Sequence, residues 1–338
     1  MNAQDNNQDY QVVFINPSLN YMTQTSILNK RVDKDIPNQE TPHIGIAYLM
    51  GALKKNGIKY KYIDLGSEHT ISDSLFTYVN QLNPTIVALS AFTADIKNAA
   101  QIAKEIKSRF HNVYTVVGGP HANAFPLKTL EEFECFDFCF FADGEKSIVQ
   151  LVKNIKEGKQ YEFIPNVVSR YNKKMKIDYP EDLDDLPFPD WESFDLSKYG
   201  GSYPHRTKLE LPIITGRGCP YKCTFCCRSL GDKIRRRSVS SVISEIEHNI
   251  QQYACEAICF IDETFIFHDK WTQEFLSQMI DKGINNKIKW SCSTRVSNMN
   301  PDLLKQMKAA GCYYIFFGME SADNDTLKRI KKKIWRMQ

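Results

Sequence analysis

The sequence predicts an α/β protein in two parts: a doubly wound, Rossmann-like parallel sheet, then a partial (β/α) barrel of the TIM type. Three observations carry that prediction. Through residue 158, short apolar runs alternate with amphipathic helical patterns, which is how successive βα units read. The alternation breaks down over 159–207 and then resumes for four further units over 208–338. A closed (β/α) barrel takes eight units, so the second part is expected to be partial or truncated.

In the first part, 1–158, "YQVVFINP" (10–17) predicts a strand and "IGIAYLMGALKKNG" (44–57) a helix closed by Gly57. A strand at 59–65 and a helix at 71–82 follow. "TIVALSAF" (85–92) is a continuous apolar run, as expected of a central strand covered on both faces. Helix 95–110, strand 113–121, a short helix near 127–133, strand 136–145 and helix 146–158 complete five units. A ligand of such a sheet should lie beyond the carboxyl ends of its strands. The connector, 159–207, contains "YPEDLDDLPFPDWESFD", which is acidic, punctuated by proline and aperiodic. In the second part, strands are predicted at 209–218, 257–265, 288–295 and 313–320, and helices at 238–253, 270–283, 300–311 and 324–333.

Composition narrows the function. Hydrophobic residues make up 42% and charged residues 25% of 338, the balance of a water-soluble globular protein. A net charge of +3, with basic residues interleaved among acidic ones, gives no footprint for nucleic acid. The start, "MNAQDNNQDYQ", lacks the apolar run of a signal peptide, and no stretch matches a membrane span. The cytoplasm is the expected compartment, and there ten cysteines read as buried thiols or metal ligands rather than disulfides.

Six of those cysteines (Cys135, Cys139, Cys255, Cys259, Cys292 and Cys312) fall within strand or helix patterns and need only be buried apolar residues. The other four crowd "GRGCPYKCTFCCRSLG" (216–231), a Gly/Pro/Lys-rich loop at the carboxyl end of a strand. Cys219, Cys223 and Cys226 are spaced C-x3-C-x2-C, and Cys227 follows directly. A structural zinc site would want a second, matching pair of ligands, and a thioredoxin-like site only two thiols. Three thiolates suit a [4Fe–4S] cluster that keeps one iron open for a further ligand.

On these residues, with the aromatic Phe225 before the last cysteine, the chain resembles the radical S-adenosylmethionine superfamily. "RRRSVSSVISEI" (235–246) resembles its basic stretch leading into the first long helix. "FIDETF" (260–265) resembles its acidic motif, and "GMES" (318–321) its fourth-strand G-x-E. The resemblance implies that Cys219, Cys223 and Cys226 ligate the cluster, and that Phe225, Asp262, Glu263, Arg295 and Glu320 contact S-adenosylmethionine. Phe225 would pack near the adenine, the acidic pair would meet the methionine amine, and Glu320 would meet ribose hydroxyls. Taken singly, each of these acids also reads as a solvated loop carboxylate.

The first part resembles the cobalamin-binding domain found in one branch of that superfamily. "SAF" (90–92) and the Gly118-Gly119 pair resemble its S-x-L…GG pattern, whereas no D-x-H-x-x-G follows the first strand. The resemblance therefore implies cobalamin held without its nucleotide base and without a protein histidine. His43 and His121 read as loop or helix-start residues. The contacts implied are Asn16, Pro17, Ser90, Ala91, Thr93, Gly118, Gly119, Gly144 and Glu145. A domain that binds a nucleotide, or nothing, remains the alternative; the absence of G-x-G-x-x-G argues against a dinucleotide.

Together these resemblances imply a cobalamin-dependent radical enzyme. It would cleave S-adenosylmethionine to a 5′-deoxyadenosyl radical and transfer a methyl group to an unactivated carbon of an unidentified small molecule or peptide. Flavodoxin or ferredoxin is the kind of electron donor implied. Radical cyclisation, another rearrangement, and a cofactor-binding remnant without turnover are the alternatives. The expected truncation leaves two possibilities for the second part: a fragment with impaired catalysis, or a barrel completed by a partner chain.

Overall fold

A computed structural model describes residues 10–17, 41–65, 73–160, 162–199, 207–228, 230–267 and 269–332. The described residues divide into two compact units, one of 10–17, 43–180 and 186–194, the other of 41–42, 181–185 and 195–332. In the first, five parallel strands are β1 (Val12–Asn16), β2 (Tyr60–Asp64), β3 (Ile86–Ser90), β4 (Tyr114–Gly118) and β5 (Phe138–Phe140). The helices between and after them are α1 (Ile44–Lys55), α2 (Asp73–Leu82), α3 (Ile96–Arg109), α4 (Pro120–Ala124), α5 (Pro126–Glu132) and α6 (Glu145–Lys156). A sixth strand, β6 (Val167–Ser169), pairs antiparallel with β5. The order is β2-β1-β3-β4-β5-β6.

Between β1 and β3 the winding reverses, which opens a crevice at the carboxyl ends of those strands. Every residue of β3 is buried, as its unbroken apolar run requires of a strand covered on both faces. One core cluster packs α2, α3 and α5 on the sheet, while α1 and α6 pack on one another. Strand β6 lies within 159–207, the segment read from sequence as a connector, and residues 162–180 and 186–194 belong to the first unit. Three residues carry too little periodicity to announce a strand, and the ladder to β5 is what makes one.

The second unit has a four-stranded parallel sheet in the order β12-β11-β10-β7. Its strands are β7 (Glu210–Ile213), β10 (Ala257–Phe260), β11 (Lys289–Thr294) and β12 (Cys312–Phe317). A two-stranded ladder, β8 (Gly216–Arg217) with β9 (Arg235–Arg236), brackets the cysteine loop. Helices α7 (Val239–Tyr253), α8 (Lys270–Asp281), α9 (Pro301–Ala309) and α10 (Asn324–Arg329) follow in turn. Strands here add in sequence order without a reversal, the winding of a barrel rather than of a doubly wound sheet.

Each of the four helices starts at a side-chain cap: Ser238, Asp269, Asn300 and Asp323 accept from the backbone N–H three residues on. Such a cap stabilises a helix by about 1 kcal/mol. Phe260, Phe265, Phe275 and Trp290 bury fully and meet at ring-centroid distances of 4.2–5.8 Å, which fastens α8 to the sheet. The buried Arg237 guanidinium pairs with the buried Glu245 carboxylate at the start of α7.

Candidate functional site

Strand β8 delivers the chain into the cysteine loop through Gly218, at φ +91°, where a Cβ would collide with the Lys233 carbonyl. The Cys219 N–H donates to the Gly231 carbonyl at 3.1 Å and closes the base of the loop. Farther along, the Thr224 N–H donates to the Ile330 carbonyl at 3.1 Å, tying the loop to the end of α10. Cys219 and Cys223 are half-buried, while Cys226 and Cys227 are exposed. Burial raises the Cys226 thiol above its ordinary value, and the nearby charges of Cys219, Glu263, Cys223 and Cys227 add to the rise. Four sulfurs and a carboxylate thus share one neighbourhood.

Among the described residues no three Cys, His, Asp or Glu side chains form a set for a single metal ion. A four-iron cluster asks for something else: each cysteine binds its own iron, so the ligand sulfurs stand apart. The donor set of the loop, three thiols at cluster spacing within reach of solvent, fits that requirement.

Around the loop, charged groups are held in fixed places. Arg295, buried at the end of β11, donates from Nη1 to the Cys223 sulfur at 3.4 Å. Its guanidinium carbon lies 4.0 Å from the centroid of the Tyr221 ring, a cation–π contact. Tyr221 donates its hydroxyl to Asn298 Oδ1 at 3.0 Å, and Asn298 donates to the Ile266 carbonyl at 2.8 Å. A cavity of about 940 Å³ opens beside Tyr221 and Arg295, and Lys222, Lys328, Lys331 and Lys332 also line it. Phe225 is 54% exposed. Glu320, at φ +61°, pairs with Lys332 Nζ at 2.8 Å.

The two residues of the acidic motif diverge. Asp262, expected at a ligand, is buried and accepts from the Thr215 N–H at 2.8 Å, the Gly216 N–H at 3.0 Å and the Thr215 hydroxyl. It fastens the turn between β7 and β8, and burial pushes its pKa up to about 6. Glu263 is exposed and accepts from the Gly218 N–H beneath the loop; desolvation and then the charge of Asp262 raise its pKa. Sequence reading did not single out Thr215, Tyr221, Asn298 or Lys332. Lys332 in particular sits in "KRIKKK", which reads as a solvated charge run.

In the first unit, the structure gathers Ser90, Ala91, Thr93, Gly118 and Gly119 at the ends of β3 and β4. Gly119 has φ +92°, and a Cβ there would lie 2.7 Å from Ser90 Oγ and 2.8 Å from the Ala91 nitrogen. The glycine is thus required by its own chain's close approach, not only by a ligand. Ala91 donates to the Gly118 carbonyl at 3.0 Å and accepts from the His121 N–H at 3.1 Å. His43 Nδ1 accepts from the Ile46 N–H at 3.3 Å, which leaves the proton on Nε2, 2.8 Å from Ser90 Oγ. His121 Nδ1 lies 3.1 Å from Thr93 Oγ1. Burial lowers the pKa of both histidines.

The remaining residues named from sequence lie at neighbouring strand ends. Asn16 donates to Asp64 at 3.0 Å, Pro17 is buried after β1, and Gly144 caps α6, whose first residue, Glu145, is buried. Phe92 and Phe125, 55% and 51% exposed, stand at the same end of the sheet as Ser90 and Gly119. That combination of apolar surface and closely packed backbone fits a large flat ligand.

Two family models match the chain: the B12 binding domain over residues 35–152 and the radical SAM superfamily over residues 213–337. The chain belongs to the radical S-adenosylmethionine superfamily. This superfamily member carries a B12-binding domain ahead of its radical SAM domain. It is 31% identical over 305 residues to an uncharacterized methyltransferase of Pyrococcus horikoshii, covering 88% of this chain and 64% of that one. It is 30% identical over 298 residues to the anaerobic magnesium-protoporphyrin IX monomethyl ester cyclase of Cereibacter sphaeroides, covering 83% and 47%.

Among solved structures, the fold is similar to the radical S-adenosylmethionine methyltransferase TsrM of Kitasatospora setae, with a TM-score of 0.72 at 17% identity over 94% of this chain and 60% of that one. It is also similar to the cobalamin-dependent radical enzyme OxsB, with a TM-score of 0.75 at 21% identity over 96% and 46%. The chain thus spans between 46% and 64% of the length of these relatives. No helix among the described residues is long and apolar enough to cross a membrane.

Proposed function

We propose that this chain holds the cofactor-binding part of a cobalamin-dependent radical S-adenosylmethionine enzyme, and that its reaction is methyl transfer to an unactivated carbon. The observation that carries the reading is the solvent-accessible triad Cys219, Cys223 and Cys226 in a loop at the carboxyl end of β7, beside Arg295 and Glu263. When bound, the cluster would supply an electron to cleave S-adenosylmethionine, and cobalamin would supply the transferable methyl group.

The residues have distinct tasks. Cys219, Cys223 and Cys226 would hold the cluster. Glu263 bears electrostatically on Cys226 and suits the methionine amine, while Asp262 is committed to the β7–β8 turn. Phe225 offers an exposed ring to the adenine, and Glu320 offers a carboxylate to the ribose. Arg295 donates to the Cys223 sulfur and so would hold that ligand in place beside Tyr221. In the first unit, Phe92, Phe125 and the Ser90–Gly119 backbone would offer the surface for the corrin, with His43 and His121 engaged to Ser90 and Thr93. The electron must come from a low-potential donor of the flavodoxin or ferredoxin class.

Support for methyl transfer comes from relatives named as methyltransferases, and the cyclase relative keeps ring formation as the second reading. Anaerobic reconstitution with iron and sulfide tests the proposal. A [4Fe–4S] spectrum, and release of 5′-deoxyadenosine or a methylated product with reductant and S-adenosylmethionine, is the expected result. A cluster that never promotes S-adenosylmethionine turnover supports the cofactor-binding remnant instead. No cluster at all overturns both. Cobalamin lost on gel filtration after loading removes the first-unit assignment.

A further inference from the structure

We infer that Lys332 is a positioning residue of the S-adenosylmethionine pocket, setting the Glu320 carboxylate for the ribose hydroxyls; the inference rests on the function proposed above. Lys332 follows α10 and is buried to 7% exposure, an expensive place for an ammonium without a partner. Glu320 supplies the partner at 2.8 Å, and its own side chain keeps 35% of its surface open. One carboxylate therefore meets a buried cation and still presents itself to solvent, where a sugar hydroxyl can donate to it.

Three further features show that the pair is built into the fold. Glu320 holds φ +61°, a left-handed backbone that a non-glycine residue keeps only where its surroundings determine it. Gly318 has no side chain where one would intrude: a Cβ there would lie 2.9 Å from both Glu320 Oε1 and Lys332 Nζ. Finally, Lys332 Nζ lies 5.7 Å from the Phe225 ring centroid, at the reach of a cation–π contact. The Thr224–Ile330 backbone bond anchors the same stretch of loop two residues before Lys332. Lys332 thus joins the residue offered to adenine with the residue offered to ribose, and among the described residues it touches Glu320 and Phe225 rather than a cysteine sulfur. Its loss should weaken the ligand and spare the cluster.

The test uses the full chain, reconstituted anaerobically, with wild type, Lys332→Met, Lys332→Arg, Glu320→Gln and the Lys332→Met/Glu320→Gln double variant. Iron content and cluster absorbance are measured first. S-adenosylmethionine affinity is then read by equilibrium dialysis and by the change that the ligand makes in the electron paramagnetic resonance of the reduced cluster. Lys332→Met and Glu320→Gln are each expected to weaken binding roughly tenfold at unchanged iron content. The double variant should be no weaker than the worse single one, and Lys332→Arg should recover most of the affinity.

Wild-type affinity in Lys332→Met overturns the inference, as does full additivity in the double variant or failure of Arg to rescue. Where Lys332→Met does not fold, Gly318→Ala takes its place, because the added methyl must displace the pair; unchanged affinity there is equally fatal. A wild-type cluster that binds no S-adenosylmethionine overturns the proposed function, and the inference with it.

Discussion

Around Gly119, at the carboxyl ends of β3 and β4, neutral groups satisfy one another: His43 with Ser90, His121 with Thr93, and Gly119 packed against Ala91. At the carboxyl end of the second sheet, the partners are charged or sulfur-bearing: Arg295 with Cys223, Lys332 with Glu320, Glu263 among the thiols. The first end is shaped by sterics and backbone, as suits a large ligand held over its surface. The second is a set of donors and charges, as suits a cluster and a zwitterion. A buried aspartate in each unit makes the same point. Asp95 and Asp262 both have their pKa pushed up to about 6 by burial. Yet Asp262 accepts from three donors, whereas one carboxyl oxygen of Asp95, Oδ1, has no hydrogen-bond partner among the described residues.

The sharpest break in that comparison is a ligand swap in the cysteine loop. Cys226→Ser is expected to abolish the reconstituted cluster, read as iron per chain and visible absorbance, while Cys227→Ser keeps it. A fourth protein thiolate would occupy the iron that the chemistry leaves open, so the reverse outcome would move the ligand register by one residue.

A steric change should do at the first end what a ligand change does at the second. Gly119→Ala adds a methyl against Ser90 and Ala91 at a φ of +92°. From backbone strain and overpacking it should destabilise the first unit by about 2–4 kcal/mol, measured by urea denaturation. Cobalamin retention should fall with it. Unchanged stability would mean that β3 and β4 do not approach each other this closely.

The aspartates give the smallest and most selective effect. Asp95 has its folded pKa raised from 3.8 to about 6, so the native state holds the proton more tightly than the unfolded chain. Its contribution to stability is full below about pH 4 and is lost as the pH rises through about 6. Asp95→Asn should therefore gain about 1–3 kcal/mol over wild type at pH 7.5 and almost nothing at pH 4. Asp262→Ala should instead lose about 1–3 kcal/mol at neutral pH, because it strands the Thr215 N–H, the Gly216 N–H and the Thr215 hydroxyl without their acceptor. Melting curves of the two variants across that range decide whether hydrogen bonding distinguishes them.

The alternation of strand and helix was legible because each element's burial pattern is local: β3 is apolar throughout, and α7 repeats its buried positions with helical spacing. The cysteine loop was legible for the same reason, since Cys219, Cys223 and Cys226 lie within eight positions of one another. Strand β6 was not, because its three residues become a strand only against β5. The division of labour between Asp262 and Glu263 was also hidden. The two residues are adjacent and of one charge, and the turn that claims Asp262 lies 46 and 47 residues away.

Sequence alone therefore determined the succession of the main βα units, the two sheet types and the thiols that crowd one strand end, all of which follow from spacing along the chain. The tertiary structure decided which group neutralises or orients which. Asp262 went to a turn, Gly119 to its own backbone, and Lys332, from a run of like charges, to Glu320. Ion pairs and hydrogen bonds depend on separation in space over a few ångströms. No local pattern in "KRIKKK" distinguishes Lys332, which burial has claimed, from Lys328 and Lys331, which stay exposed.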